Sequence, residues 1–561
     1  MRKELLEKIE SLYEMGKHQE IIDLIEALPT EQLDTELIGE LGRAYNNIEN
    51  YEKGLEILKS IENEVGDTAL WNWRVGYSYF FLKDFISAKK CLLKAYELNP
   101  HDNTICDLLI ITYANLSKLE NKNGNSEKAI EYALESRKYS YDEKGIMEAD
   151  SFLAWLYNKY KEYTKAEEIL RKQLARNKDD KWTLSELAYS LSGQGKYEEA
   201  IERFEYVLSL EVEDEGDLEF IYSQLGWCYH HLWNFEKALE YLMLSKEKGR
   251  NDVWINVEMA LCYENLEEHE KALEYALIAY ELDKNDVHVL SELGVIYGCM
   301  EKYEEALSFL IKAEKLDKND EWINTEIAIN LGRSGKVNEG IKRLKKSLTM
   351  VGKDDIDRKI IINSELAWFY GKLEESKTNV ALKHLNKAKE LGRDDEWLHS
   401  EMGYQLGQNP ETSKEALEHF EKAMKLGRKD AWIFEMVACT LFNLDRYEEA
   451  LDYFRKAYTE KNDNWYLYSM GNCLRALERY EEAIEVLLES RRISLAEEDE
   501  VDGEDLELAH SYLGLGDKDN AQKYLDLARD SILEQGTLND DIKKEIEEIE
   551  KGILSLDQFL N

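Results

Sequence analysis

The side chains in this sequence that could do chemistry are spread along the chain, and none forms a group typical of a catalytic centre. His230 and His231 lack a carboxylate pattern that would complete a metal site, and His269-Glu270 lacks the second histidine of a zinc protease. The run 332–337 lacks the spacing and the hydroxyl of a phosphate-binding loop. Carboxylates are so numerous that no acid–base pair stands out. We therefore expect no enzymatic activity, no cofactor and no bound metal.

The chain carries a pattern of residues that recurs with a fixed period. A small residue recurs about every 34 positions, and twelve positions after it comes an alanine within a Tyr-Glu-Glu-Ala-like run. The small residues are Ala154, Ala188, Gly226, Ala260, Gly294, Ala328, Ala367, Gly403, Ala438, Gly471 and Ala509, with Gly42, Gly76 and Ile110 at the same position earlier. Such a period indicates a stacked array of helical hairpins, in which each unit packs on its neighbours.

Residues 284–317 illustrate one unit. Asp286 is placed to cap a first helix, on which Gly294 lets a partner helix approach closely. Tyr303-Glu304-Glu305-Ala306 opens a second helix with acidic residues at its positive end. The chain has only three prolines, and no alternating β-branched runs suggest a sheet. The sequence therefore predicts an all-α protein.

The repeat resembles the tetratricopeptide repeat (TPR) family. Its first-helix pattern is matched by Leu41-Gly42 with Tyr45, Leu225-Gly226 with Tyr229 and Leu293-Gly294 with Tyr297, and its second-helix pattern by Ala200 with Phe204 and Ala450 with Phe454. The resemblance implies a right-handed superhelical solenoid of about fourteen TPR-like helical hairpins plus terminal capping helices. The family's proline after the second helix remains only at Pro100, and the turn elsewhere reads Lys-Asn-Asp or Gly-Arg-x-Asp, as at 249–252, 392–395 and 427–430.

We predict three regions: a degenerate N-terminal hairpin or cap over 1–35, the solenoid over 36–530 and a C-terminal capping helix over 531–561. Within the solenoid, a polar loop is expected as an insertion near 117–127, and longer turns near 350–358 and 493–505. The dense acidic stretch 497–505 is interpreted as a solvated loop.

In the family, the residue after the small position usually faces a concave groove. Here this position carries six aromatic residues: Tyr77, Trp155, Tyr189, Trp227, Trp368 and Tyr404. Five cations one turn further along would also face inward: His230, His231, Arg333, Lys372 and Arg475. The aromatics suit binding of an extended peptide or a helix, or else they pack between adjacent units. The cations suggest acidic groups on the partner, or else they are solvated charges.

Two further sets of side chains follow the period. Tryptophans stand near the starts of six first helices and are expected in joints between repeats: Trp182, Trp254, Trp322, Trp397, Trp432 and Trp465. A glutamate precedes the pair that contains the small residue: Glu40, Glu186, Glu258, Glu292, Glu326, Glu365 and Glu401. These carboxylates either bind cations or basic segments, or are solvated or paired with neighbouring lysine or arginine.

The composition of the chain limits the cellular location that is expected and the kinds of partner that it can bind. The formal charge of −44 disfavours binding to nucleic acid and anionic membranes. The seven cysteines form no CxxC pair, which fits free, mostly buried thiols in a reducing compartment. The N-terminus does not resemble a signal peptide and no long apolar run spans a membrane, so a cytoplasmic location is expected.

The resemblance implies a scaffold or adaptor that binds a peptide segment or partner protein in the groove. The alternative is a peptide-responsive regulator whose superhelix changes shape on ligand binding. The clamp with which some family members bind the Hsp70 and Hsp90 tails is not expected, because serines occupy its lysine position: Ser185, Ser291, Ser364 and Ser400. The oligomeric state does not follow from the sequence.

Overall fold

The computed structural model describes residues 2–100, 102–210, 212, 214–373, 377–497, 501–535 and 540–560. Within these residues the secondary structure consists of α-helices and two short 3-10 helices, Thr30–Gln32 and Pro410–Thr412, with no strand. The chain divides into two compact units, unit 1 over Met1–Leu282 and unit 2 over Asp283–Asn561. The prediction of an all-α helical repeat is confirmed.

The described residues of unit 1 form seventeen α-helices. They are α1 (Arg2–Glu14), α2 (His18–Glu26), α3 (Thr35–Asn47), α4 (Tyr51–Ser60), α5 (Glu62–Val65), α6 (Ala69–Phe81), α7 (Phe85–Leu98), α8 (Asn103–Lys122), α9 (Ser126–Tyr139), α10 (Glu143–Lys159), α11 (Tyr163–Leu174), α12 (Lys181–Gly193), α13 (Tyr197–Ser209), α14 (Glu215–His231), α15 (Phe235–Glu247), α16 (Val253–Asn265) and α17 (His269–Leu282). From α3 onward, first and second helices pack as the hairpins α3/α4, α6/α7, α8/α9, α10/α11, α12/α13, α14/α15 and α16/α17.

The described residues of unit 2 form fifteen α-helices. They are α18 (Val287–Cys299), α19 (Tyr303–Leu316), α20 (Glu321–Arg333), α21 (Val337–Met350), α22 (Ile356–Gly371), α23 (Thr378–Glu390), α24 (Glu396–Gly407), α25 (Ser413–Lys425), α26 (Ala431–Asn443), α27 (Tyr447–Glu460), α28 (Asn464–Ala476), α29 (Tyr480–Ala496), α30 (Asp502–Gly514), α31 (Lys518–Gln535) and α32 (Asp540–Leu560). Consecutive helices pair as hairpins from α18/α19 to α30/α31.

The small residue of each repeat sets how closely the two helices of a hairpin approach. A Cβ atom added to Gly294 on α18 would lie 2.4 Å from Cγ of Leu310 on α19, and the same contact joins Gly226 to Leu242 at 2.6 Å. Both leucines are fully buried. The periodic glycine or alanine is therefore explained by packing, as the sequence predicts.

The turns between repeats are built from the residues that the sequence indicates. The Asp286 carboxylate accepts a hydrogen bond from the backbone N–H of Val289 at 3.0 Å, which caps the start of α18. Gly249, Gly392 and Gly427 have φ angles of 112°, 114° and 123°, a region that residues with a side chain rarely adopt. Glycine ends one hairpin and aspartate starts the next in these turns.

Helices also lie at both ends of the chain. At the N-terminus, α1 and α2 pack together and bury Ile9, Ile21 and Ile25. At the C-terminus, α32 packs on α30 and α31 and buries Ile549 and Ile553. The regional boundaries 1–35, 36–530 and 531–561 stay predictions.

The polar loop predicted near 117–127 is largely helical. Helix α8 continues to Lys122 and α9 begins at Ser126, so only 123–125 connect them. The extension stays helical because its first residue is buried, where the Ser117 hydroxyl donates a hydrogen bond of 2.6 Å to the backbone oxygen of Ala129. The turn predicted near 350–358 comprises 351–355, between α21 and α22.

The interpretation of 497–505 as a solvated loop is wrong for its last residues, while 498–500 lie outside the described residues. Glu504 and Asp505 belong to α30 and are buried. Glu504 accepts hydrogen bonds from the hydroxyls of Ser490 and Ser494 at 3.0 and 2.8 Å. Asp505 accepts hydrogen bonds from Arg491 at 2.5 and 3.3 Å. Buried partners on α29 therefore hold part of an acidic run that sequence composition places in solvent.

The seven cysteines are all free thiols. Four are buried, namely Cys106, Cys228, Cys262 and Cys473, whereas Cys299 is exposed. Burial raises the pKa of the Cys228 and Cys262 thiols to about 12, so both are protonated and unreactive at neutral pH.

Candidate partner-binding face

In each unit, first helices contact first helices of neighbouring hairpins. These contacts join α10, α12, α14 and α16 in unit 1, and α18, α20, α22, α24 and α26 in unit 2. We call each of these two sets a first-helix layer. On each first helix, the residue after the small position and the residue seven positions before it share one face.

The candidate aromatics in unit 1 are half-buried. Tyr189 and Trp227 each pack against the tyrosine that opens the preceding second helix, with ring centroids 6.2 Å from Tyr163 and 5.6 Å from Tyr197. Each ring therefore contributes to the joint between two repeats and still exposes part of its surface. Packing between adjacent units is therefore observed for both rings, and their role in binding stays a prediction.

The remaining candidate aromatics are half-buried as well. Tyr77 lies 6.4 Å from Tyr51, the opening residue of α4, and Trp155 packs beside Phe152 at 6.0 Å. In unit 2, Trp368 neighbours Phe369 at 5.4 Å and Tyr404 neighbours Trp432 at 6.2 Å. Their role in binding stays a prediction.

The candidate cations are largely engaged within the chain. His230 Nδ1 lies 2.7 Å from a carboxylate oxygen of Glu258 on α16. Arg333 donates to Glu365 at 3.4 Å, and Arg475 pairs with Glu507 on α30. These contacts reduce the positive charge that the three side chains offer to a partner, and with it the basis for expecting acidic groups there.

The other two cations lie against aromatic rings. The Lys372 ammonium is 5.5 Å from the Trp368 ring centroid, and the exposed His231 ring is 4.2 Å from that of Trp227. Each cation is therefore part of the surface that its tryptophan presents.

Several of the glutamates before the small position accept hydrogen bonds from polar or cationic side chains of neighbouring repeats. Glu40 accepts a hydrogen bond of 2.5 Å from the buried Arg74 of the following repeat. Glu186 accepts one of 2.7 Å from the Asn158 amide of the preceding repeat. Together with Glu258 and Glu365, these contacts favour the interpretation in which the glutamates are paired. The partners of Glu186, Glu258 and Glu365 could have been predicted from the sequence, because a polar or cationic residue recurs four or five positions after the small residue of the preceding repeat.

Burial acts against ionisation of several of these carboxylates. It raises the pKa of Glu186, Glu365, Glu401 and Glu507, although nearby cations or hydrogen-bond donors act in the opposite direction on each of them. Burying a carboxylate costs free energy, and proteins retain such a residue mainly where packing between repeats or a binding surface requires it.

This shift gives a test of how the array responds to pH. Because the folded-state pKa of Glu401 is raised, its contribution to stability is fully present below the unfolded-state pKa and is lost as pH rises through the folded-state value. Glu401→Gln should therefore equal or exceed the wild type in thermal stability at pH 8, and this advantage should shrink at pH 5.5. Both conditions lie above the isoelectric point of about 4.7. Thermal melts followed by circular dichroism measure these differences in stability, with the exposed Glu396→Gln on α24 as the control. Equal behaviour of Glu401→Gln and Glu396→Gln would contradict the expectation.

Four of the six tryptophans near the helix starts are partly buried, and two are exposed. Trp182 is 42% and Trp465 is 43% exposed, so these two are not fully covered by a joint. Trp432 packs on Tyr404 and Phe420 of the preceding hairpin, which is the joint that the sequence predicts.

The Gly-Arg-x-Asp turn places a guanidinium over three of these tryptophans, a contact that the sequence analysis missed. Arg393 lies 4.2 Å from the Trp397 ring centroid, and it donates hydrogen bonds to Asp395 at 2.8 Å and to Ser364 of the preceding first helix at 2.7 Å. The same stacking occurs for Arg250 on Trp254 and for Arg428 on Trp432. The threefold recurrence of Gly-Arg-x-Asp-x-Trp is the signal that could have found it.

Among the described residues, every helix is either too short or too polar to span a lipid bilayer. No group of three or more histidine, cysteine, aspartate or glutamate side chains in the same residues is placed to hold a metal ion.

Family models match four segments of the chain. The model described as "Tetratricopeptide repeat" matches residues 72–102, 287–320 and 506–528, which cover most of the hairpins α6/α7, α18/α19 and α30/α31. The model described as "Anaphase-promoting complex, cyclosome, subunit 3" matches residues 411–490. No curated protein matches the chain.

Solved structures of similar proteins cover different shares of the chain. A tetratricopeptide repeat protein from Parabacteroides merdae is 19% identical over 46% of this chain and 98% of its own, with a TM-score of 0.39. The APC/C hetero-tetramer Cut9-Hcn1 is 14% identical over 90% of this chain and 95% of its own, with a TM-score of 0.39. YrrB, a TPR protein with an unusual peptide-binding site, is 18% identical over 34% and 95%, with a TM-score of 0.28. With TM-scores below 0.5, none of these likenesses bears on function.

Proposed function

Because the chain is a tetratricopeptide repeat protein, a family whose repeats generally mediate protein–protein interactions, we propose that it is a non-catalytic scaffold that binds a segment of a partner protein on a first-helix layer. The observation that carries the proposal is the series of half-buried aromatic rings on consecutive first helices, at Trp155, Tyr189 and Trp227 in unit 1. Rigid aromatic side chains contribute large contact areas at low entropic cost, and they are enriched among the residues that dominate binding energy.

The charges around these rings support a polypeptide ligand of low acidity. The cations nearest to them are engaged with glutamates or rings of the chain itself, and the chain as a whole carries a charge of −44. An acidic protein of this kind repels nucleic acid and anionic lipid, and favours neutral or basic partners. A cytoplasmic location, a reducing compartment that suits the free thiols, belongs to the same proposal.

The test compares two sets of truncations. Trp155→Ala, Trp227→Ala and Trp368→Ala together should weaken binding of a partner purified from the source cells at least tenfold, since each removes an aromatic contact worth about 1 kcal/mol or more at a binding hot spot. Partners are identified by affinity capture and mass spectrometry, and affinity is then measured by titration calorimetry.

The matched control removes exposed apolar side chains from second helices instead. Leu134, Met243 and Ile311 are 45%, 38% and 41% exposed on α9, α15 and α19. Replacing these three with alanine should leave the affinity unchanged. Equal affinity of the two triple variants, or a melting temperature of the tryptophan variant far below that of the wild type, would refute the assignment of the first-helix layer.

A further inference from the structure

A cavity opens on the first-helix layer of unit 1 between α12 and α14. Its volume is about 240 Å³, and its lining includes Trp182, Glu186, Val207, Phe220 and Ile221. We call it the α12–α14 cavity. Pockets that hold drug-sized ligands measure about 300–1,000 Å³, so this one suits a single side chain of a larger ligand.

Five of the nine residues that line the cavity are apolar or aromatic. Val207 and Ile221 are almost fully buried and form its base. Trp182 is 42% exposed, and Phe220 is half-buried with its ring centroid 6.0 Å from that of Tyr189. Indole and phenyl rings attract cations to their faces, and tryptophan does so most strongly.

The carboxylate of Glu186 adds a negative group to this aromatic lining. At the corresponding position of other repeats, Glu258 meets His230 and Glu365 meets Arg333. Glu186 instead meets Asn158, an uncharged amide, which donates a hydrogen bond of 2.7 Å to one carboxylate oxygen. Glu186 therefore meets an amide where Glu258 and Glu365 each meet a basic side chain of the chain itself.

Two other charged residues line the cavity with this carboxylate. Lys181 and Asp217 both contribute to the lining and carry opposite charges. Burial raises the pKa of Glu186, and only the Asn158 hydrogen bond acts against that shift. A cation brought next to the carboxylate would restore its ionised form at lower pH.

Resting on the proposed function, we propose that the α12–α14 cavity receives one lysine or arginine side chain of the bound partner segment. The aliphatic stem lies against Val207 and Ile221, the charged end group meets the Trp182 and Phe220 rings, and the Glu186 carboxylate takes the place opposite that cation. The partner supplies the positive charge that His230 and Arg333 supply to Glu258 and Glu365.

The experiment uses the full chain labelled with 5-fluorotryptophan and followed by ¹⁹F NMR, with the Trp182 resonance assigned from the Trp182→Phe variant. The probes are n-butylammonium for a lysine side chain, n-propylguanidinium for an arginine side chain and 1-butanol as their neutral counterpart. At least one cation should shift the Trp182 resonance saturably, with an apparent affinity about tenfold or more above that of 1-butanol. The stronger cation identifies the side chain.

Glu186→Gln should weaken binding of that cation about tenfold and leave the response to 1-butanol unchanged. The control is Glu198→Gln on α13, an exposed carboxylate outside the lining, which should behave like the wild type. Equal responses to cations and 1-butanol, or unchanged cation binding by Glu186→Gln, would overturn the proposal. Circular dichroism checks that each variant is folded.

The same Glu186→Gln variant separates this proposal from the function on which it rests. If a captured partner is lost with the tryptophan triple variant but keeps its wild-type affinity for Glu186→Gln, the cavity assignment fails and the scaffold function stands. If the partner binds the triple variant normally, the assignment of the first-helix layer fails, whatever the probes show at Trp182.

Discussion

Replacing Arg491 with methionine is expected to destabilise the hairpins α28/α29 and α30/α31 by about 3–5 kcal/mol, the cost of breaking a buried ion pair from one side. Arg491 on α29 donates two hydrogen bonds to Asp505 on α30. The Asp505 side chain is only 1% exposed, so without the guanidinium its carboxylate would lose two charge-assisted hydrogen bonds at a buried position. The neighbouring Glu504 would remain bonded to Ser490 and Ser494, which limits how far α30 can move to relieve it.

Amide hydrogen exchange with mass spectrometry is suited to this prediction because repeat arrays open locally. Peptides from α28 to α31 should lose protection, while peptides from unit 1 should not. The control is Arg492→Met, one residue along the same helix. Arg492 is 67% exposed and pairs with Glu489, so its loss should have little effect on stability. Comparable exchange in the two variants would show that the buried pair does not stabilise this end of the chain.

A double variant separates the missing cation from the missing packing. Arg491→Met with Asp505→Leu replaces both charges with apolar groups of similar size, a change that is often neutral or stabilising. The double variant should therefore recover most of the lost protection. If it is no more protected than Arg491→Met alone, the arginine acts through its aliphatic contacts rather than its charge.

The hairpins could be predicted from sequence because their causes are local. A small residue at the helix crossing, an aspartate at the first turn and a glycine at the last each act within a few residues, and the structure has them at Gly294, Asp286 and Gly249. The errors lie where a neighbouring repeat decides the outcome. Composition marks 504–505 as solvated, but two serines and an arginine on α29 bury them.

In the candidate site, too, some features are decided by the local sequence and others by a neighbouring repeat. Placing Tyr189 or Trp227 after a small residue requires only the helical period. Pairing His230 with Glu258 requires knowing how one first helix aligns with the next, 28 residues further along. That alignment recurs with the period, so the pairing of Arg333 with Glu365 follows by analogy once one pair is known. The exposed fraction of each aromatic ring follows from packing against the preceding second helix, which the sequence does not specify.

Gly332→Ala is expected to destabilise unit 2 at the upper end of the about 1–3 kcal/mol typical of overpacked cores. Gly332 lies on α20, and a Cβ atom there would be 1.9 Å from Cζ of Phe369 on α22, a ring that is fully buried. Alanine would otherwise favour the helix by about 1 kcal/mol over glycine. The steric conflict should prevail because the ring also lies against Gly340 on α21, whose own added Cβ would be 2.9 Å from the ring.

Gly407→Ala is the matched control, since its added Cβ would come no closer than 3.9 Å to its nearest neighbour, the Cβ of Ala416. Urea unfolding should show a loss of stability for Gly332→Ala and none for Gly407→Ala. Phe369→Leu in the Gly332→Ala background should recover part of the loss, because the smaller side chain vacates the space that the new methyl group needs. A double variant less stable than Gly332→Ala would mean that α20 and α22 depend on the ring itself, and that glycine at 332 serves the backbone rather than the joint.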